Sequence, residues 1–154
     1  MAEPRIEVRR AGGEDAPVVA RLLHDFNTEF EEETPGAEAL TRFIRPLIES
    51  GEARALLANE SEGFSLWRLR PSPYTGRPEA YLQELYVVPA RRGNGLGRAL
   101  LEATMDAARQ AGATGIDLNT GESDTAARAL YESAGFTNLE GPERTRMLFY
   151  EREL

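Results

Sequence analysis

The stretch Arg91-Arg92-Gly93-Asn94-Gly95-Leu96-Gly97-Arg98-Ala99-Leu100-Leu101, entered from Tyr81-Leu82-Gln83-Glu84-Leu85-Tyr86-Val87-Val88-Pro89, decides how the chain is read. It has the pattern of a strand, a glycine- and arginine-rich turn, and the first turns of an amphipathic helix. Glycines at 93, 95 and 97 let the backbone take positive φ and let a ligand approach without meeting a Cβ. Amides left unpaired at a helix start converge on one point, where the helix dipole also favours negative charge. Such a turn cradles an anion, and a phosphate or diphosphate fits it. Arg91, Arg92 and Arg98 flank it, which suits a phosphorylated ligand.

The glycine spacing narrows the ligand. The chain has no lysine, and a nucleotide-hydrolysing P-loop requires one directly after its glycines. A dinucleotide fingerprint needs its third glycine one place later than Gly97, although Asp117 lies where a ribose-binding acid would sit. The order Arg92-x-x-Gly95-x-Gly97 after a strand ending Leu85-Tyr86-Val87-Val88-Pro89 resembles the acetyl-CoA-binding motif of the GNAT N-acetyltransferase superfamily. A second segment agrees: Asp124-Thr125-Ala126-Ala127-Arg128-Ala129-Leu130-Tyr131-Glu132-Ser133-Ala134-Gly135-Phe136 is similar to that family's N-x-x-A-x-x-L-Y-x-x-x-G-F stretch.

Composition is compatible with this. At 154 residues, with 41% hydrophobic and 29% charged residues, the expectation is one soluble globular domain over 1–154. No apolar run approaches the length of a membrane span, and the start lacks the apolar core of a signal peptide. A cytoplasmic location is the expectation. The chain has no cysteine, which excludes disulfides, thiolate metal sites and cysteine nucleophiles. A net charge of −8 argues against nucleic acid as a partner and suits a cationic substrate. The single histidine, His24, lies off the apolar stripe of its helix and reads as a surface residue; no metal site is expected.

Outward from the central stretch, Ile6–Arg9 alternates like a short strand. A helix starts at Glu14-Asp15-Ala16-Pro17 and buries Val19, Leu22, Leu23, Phe26 and Phe30. The acidic stretch 27–38 reads as a solvated loop between helices. A second helix presents Leu40, Phe43, Ile44, Leu47 and Ile48, is kinked or divided at Pro46, and ends at Gly51. Residues 54–59 and 63–69 read as a hairpin, 70–79 as a loop and 80–88 as a strand. After the glycine turn come a helix to Ala111-Gly112, a strand over 114–119, and a helix capped by Ser123 or Asp124 and stopped by Gly135. Residues 136–139 and 146–151 read as closing antiparallel strands.

The resemblance implies an α/β (mixed α+β) GNAT-like fold: a central mixed, mostly antiparallel sheet with helices on both faces, bulged in strand 80–88 and splayed between strands 80–88 and 114–119. It implies acetyl-CoA as co-substrate, with backbone groups of Leu85, Tyr86 and Val87 pairing with the pantetheine. The turn Arg92, Gly93, Asn94, Gly95, Leu96, Gly97, Arg98 would hold the diphosphate, and Asp124, Ala127 and Tyr131 would contact the coenzyme from the second segment. Asp124 departs from the family's asparagine, and a carboxylate cannot donate a hydrogen bond. The reaction implied is direct attack of an amine on the thioester. Freeing the lone pair of an amine with a lysine-like pKa at neutral pH costs about 4 kcal/mol. Glu84 is the candidate base and Tyr131 the acid that protonates the leaving thiolate. Gln83 and Asn119 stand where some relatives carry acids, so a water relay remains an alternative to Glu84. The acceptor expected is a small or cationic amine, or a peptide amine. A homodimer is compatible, since relatives often dimerise. The rival readings are a non-catalytic acyl-CoA-binding or regulatory module and, more remotely, a nicotinamide-dependent dehydrogenase.

Overall fold

The computed structural model describes residues 4–154, in the order β1 (Val8–Arg10), α1 (Ala16–Glu29), α2 (Ala37–Ser50), β2 (Arg54–Ala58), β3 (Gly63–Pro71), β4 (Pro78–Val87), α3 (Leu96–Gln110), β5 (Ile116–Leu118), α4 (Thr125–Ser133), β6 (Leu139–Glu140) and β7 (Thr145–Arg146). They form two compact units, one through Leu118 and one from Asn119. In the first unit the strands make one five-stranded sheet in chain order, antiparallel from β1 to β4. The last pair, β4 with β5, is parallel. This is the mixed sheet expected.

Period-two alternation in β2, β3 and β4 divides the first core between the two sheet faces. Ala55, Leu57, Phe64, Leu66 and Tyr86 pack with Val19, Ala20 and Leu22 of α1 and Ile44 and Ile48 of α2. Leu56 and Ala58 pack on the other face with Leu96 and Leu100 of α3, joined by Leu85 and Val87. A buried hydroxyl pair ties α3 to the sheet. Thr104 Oγ1 donates to Leu100 O (2.7 Å), which leaves it to accept from Ser65 Oγ (2.8 Å).

The first helix is anchored by Asp15, whose carboxylate accepts two bonds from the Arg9 guanidinium (2.8 and 2.9 Å) and one from Gly12 N (2.8 Å). The Arg9 bond, then the Gly12 amide, hold this carboxyl below the usual carboxylate range against the opposing effect of burial.

Several expectations are corrected. Phe30 is 53% exposed and Phe43 58%. Phe30 lies one residue past α1, where the backbone has left helical geometry. Phe43 is turned about 100° from Ile44, beyond the narrow stripe that Ile44 and Ile48 bury. Helix α2 runs unbroken through Pro46. That proline and Arg42, whose carbonyl loses its partner, are both at exposed positions, so the missing bond lies on the solvent side of the helix. The hairpin strand β3 reaches Pro71, which shortens the loop before β4.

The second unit holds α4 and a two-stranded ribbon, β6 with β7. The closing strands are shorter than expected, because Thr137 Oγ1 takes the Leu139 amide (3.1 Å) and the turn spans Gly141 to Arg144, both at positive φ. Helix α4 has no fully buried residue; Ala127, Leu130 and Ala134 are half-buried. Among the described residues no helix is long and apolar enough to cross a membrane, and no group of His, Asp and Glu side chains could hold a metal ion.

Candidate active site

The site in the first unit begins with a one-residue irregularity. Leu66 pairs with Glu84 and Trp67 with Leu82, so Gln83 is an extra residue in β4. Its side chain accepts from Arg68 Nη2 (2.6 Å). The parallel pairing with β5 ends at the same point, at Leu82 opposite Leu118. From Gln83 onward, no strand among the described residues pairs with that side of β4. At the bulge the sheet opens and leaves an edge able to accept an extended, amide-bearing ligand.

The bulge also aims Glu84. Paired with Leu66, its side chain leaves the sheet on the α1–α2 face, between Leu66 and Tyr86, two members of that core. Among the described residues no group hydrogen-bonds or ion-pairs with the Glu84 carboxyl, and Arg68 on the neighbouring strand is bonded to Gln83 instead. Burial alone pushes its pKa up to about 7. A carboxyl in this state is half ionised near neutrality and poised to accept a proton.

Beyond β4, Pro89–Arg91 forms a single 3-10 turn. Gly93 (φ 80°) and Gly95 (φ 85°) then take left-handed conformations, and α3 starts at Leu96 with no side-chain cap. A Cβ at Gly93 would meet nothing within 4 Å, and one at Gly95 only Ile6 Cδ1 at 3.6 Å. Backbone conformation, not crowding, requires glycine here. The space above the turn is open, as binding of a diphosphate demands. Leu96 and Gly97 amides have no intrahelical acceptor. Asn94 Nδ2 braces the turn by donating to Arg91 O and Arg92 O (both 3.2 Å). Arg98 occupies an exposed position in the first turn of α3.

The arginines before the turn hold the frame. Arg91 bonds Glu62 (2.7 and 2.8 Å). Arg92 donates through Nη2 to both oxygens of Glu29 (2.8 and 2.9 Å) and through Nε to Val87 O (3.0 Å), with its guanidinium over the Tyr86 ring at 5.6 Å. Of the three β4 residues expected to meet the pantetheine, Val87 thus has its carbonyl engaged by Arg92. Burial, followed by the Glu29 charge, raises the Tyr86 phenol above its ordinary pKa. Sequence reading missed the role of Glu29, which it placed in an acidic loop; a pair 63 residues apart leaves no periodic signal.

The second unit carries the other expected residues. Asp124 Oδ1 accepts from Ala127 N (3.1 Å) and caps α4, so these two bond each other. At the far end, Phe136 N bonds Tyr131 O (3.0 Å) and Gly135 N bonds Glu132 O (3.1 Å), with Gly135 at φ 93°. This is a Schellman stop, and its hydrophobic contact is the edge-to-face packing of Phe136 on Tyr131, centroids 5.8 Å apart. The spacing Tyr-x-x-x-Gly-Phe thus encodes a helix end that fixes the tyrosine ring.

A strand that bulges and parts from a parallel neighbour, followed by a glycine turn onto a helix, is the arrangement that the resemblance implies. The family model of the acetyltransferase (GNAT) family matches residues 19–136, and the chain belongs to that family. It is similar to the uncharacterized N-acetyltransferase YhfO of Bacillus subtilis (strain 168), at 31% identity over 85% of this chain and 89% of the relative. The crystal structure of an acetyltransferase candidate from Arthrobacter sp. FB24 superposes with a TM-score of 0.89 at 43% identity, covering 100% of this chain and 99% of that one. The aminoglycoside N(6')-acetyltransferase type 1 of Stenotrophomonas maltophilia shares 34% identity over 53% of this chain and 55% of its own length. The chain is accordingly an acyltransferase enzyme of the N-acetyltransferase kind.

Proposed function

We propose that the protein moves an acetyl group from acetyl-CoA directly to an amine, with Glu84 as the base. The carrying observation is the unpaired Glu84 carboxyl, raised to about 7, on the strand segment where the sheet opens. The glycine turn fits the coenzyme's diphosphate, held by main-chain amides at Gly93–Arg98, and the free side of β4 at Leu85–Val87 fits its pantetheine. Bound there, the coenzyme supplies an acyl thioester. Glu84 takes the proton from the incoming ammonium group, which exposes the lone pair; a positioned base contributes roughly 10²–10⁴-fold in rate. Tyr131, fixed on its ring by Phe136, is the proposed acid for the departing thiolate. We read both units as parts of one acetyltransferase domain, supported by a family match that runs across their boundary.

The acceptor proposed is a basic amine. Glu84 supports it, as do the exposed carboxylates Glu31, Glu32 and Glu33 after α1. Glu29 and Glu38 contribute less, being paired with Arg92 and Arg42. The test is thiol release with a panel of polyamines, aminoglycosides, peptide amines and neutral amines, beside calorimetry of acetyl-CoA binding. Turnover confined to basic amines, lost in Glu84→Gln and lowered in Tyr131→Phe, is the expected result. Coenzyme binding without turnover on any amine would overturn it, and turnover of neutral amines alone would overturn the acceptor class.

A further inference from the structure

Roughly 15 Å along α3 from the glycine turn, a groove of about 490 Å³ lies between the sheet edge and the second half of that helix. Alanines create it. Ala103, Ala107 and Ala111 recur every four residues on one side of α3, and a methyl group does not reach the sheet as Leu96 and Leu100 do nearer the helix start. The floor is Val8 and Arg10 of β1 with Arg54 and Leu56 of β2. Arg10 pairs with Leu56, and Arg54 lies two residues along β2 on the same face. The arginines are therefore diagonal neighbours, about 7–8 Å apart at the backbone.

Among the described residues no carboxylate answers either arginine. Among the described residues neither side chain has a hydrogen bond or an ion pair, and the one acid in the groove, Asp106, is bonded to Arg109 at 2.7 Å. Arg9 and Arg70 on the same sheet, by contrast, have carboxylate partners. The Arg54 guanidinium is held over the ring of Trp67, its cross-strand partner, at 5.4 Å. Arg54 Nε and Trp67 Nε1 are both shut away from solvent with no acceptor. Two such donors, on directly paired residues, mark a place that lacks an acceptor.

We propose that this groove binds a small carboxylate carried on an apolar body. The carboxylate lies at Arg10 and Arg54, where charge-assisted bonds are strongest, and the apolar part lies along Ala103, Ala107 and Leu56. The negative end of the α3 dipole turns the carboxylate toward the strands and away from the helix terminus. The site is separate from the acetyl-transfer machinery and does not depend on it.

Trp67 is the only tryptophan and Arg54 of the groove lies over its ring, so with no coenzyme present its indole emission and Nε1–H NMR signal report on what happens at Arg54. Cyclohexanecarboxylate, which is transparent in the ultraviolet, is titrated at low ionic strength, with inorganic phosphate and chloride as separate arms. A saturable shift in both signals with the carboxylate only is the expected result. Arg10→Gln, at an exposed strand position, is expected to weaken binding about tenfold or more without altering acetyl transfer, and Arg54→Gln to weaken it further. Ala107→Leu fills the trough while leaving both arginines and is expected to abolish the response. The proposal is overturned if no saturable shift occurs at concentrations well beyond millimolar. It is overturned equally if phosphate or chloride reproduces the shift, or if Ala107→Leu leaves it unchanged.

Discussion

Replacing Glu84 by glutamine removes a charge and little else, and its effect on stability can be worked out with its sign. The folded carboxyl titrates near 7 against an ordinary value of 4.5, through burial alone. Between those values the native chain binds more protons than the unfolded chain, so this group makes stability fall as pH rises. The cost is absent below the ordinary value and complete above the folded one. A shift of this size corresponds to a ceiling of about 3 kcal/mol, and solvent reaching a half-buried side chain reduces it to about 1–2 kcal/mol. Urea unfolding of parent and variant from about pH 5 to about pH 8 isolates this contribution, because every other group cancels in the difference. The variant gains on the parent as pH rises, while acetyl transfer falls by roughly 10²–10⁴-fold. The same substitution thus stabilises and inactivates. A difference that stays flat across the range, or a variant that retains full activity, refutes the reasoning.

Gly95→Ala forces a left-handed alanine at φ 85° and is expected to cost about 1–2 kcal/mol; calorimetry should show weakened acetyl-CoA binding together with the lower Tm. Glu29→Gln breaks the bidentate bond to Arg92, whose side chain is 45% exposed, so the stability loss should stay within about 1 kcal/mol. Coenzyme affinity should hold if main-chain amides carry the diphosphate; a large change in that affinity would show that the Arg92 side chain does so. Asp15→Asn is expected to cost about 1–2 kcal/mol near neutrality, since charged hydrogen bonds are lost beside a partly exposed arginine. Because the Asp15 carboxyl titrates below its ordinary value, that stability is present above the ordinary value and disappears as pH falls through the folded one. Acid unfolding of the two proteins should therefore converge.

The glycine turn and the Tyr131–Phe136 helix stop were legible in the sequence because both depend on residues a few positions apart whose backbone needs are specific. Gly95 and Gly135 are where only positive φ serves. The position of the bulge was not legible, since nothing about Gln83 distinguishes it; the irregularity exists only in the pairing of β3 with β4. The state of Glu84 likewise depends on what Arg68 does, and Arg68 bonds Gln83 instead. Phe30 and Phe43 misled because an apolar residue beside a buried stripe has the same periodic signature as one inside it. Pro46 misled because the cost of proline depends on whether water can reach the carbonyl it abandons.

Leu82 and Glu84 project from opposite faces of the sheet, as residues one apart in an ordinary strand would. Excising Gln83 would therefore leave every neighbour on its present face and every backbone pairing of β3 with β4 in register, yielding a flush ladder, with only the Arg68 bond to Gln83 lost. The shortened chain should fold, resist heat at least as well as its parent, and have nowhere to seat a thioester arm. Under the proposed reading, that single residue decides whether the strand can seat a thioester arm.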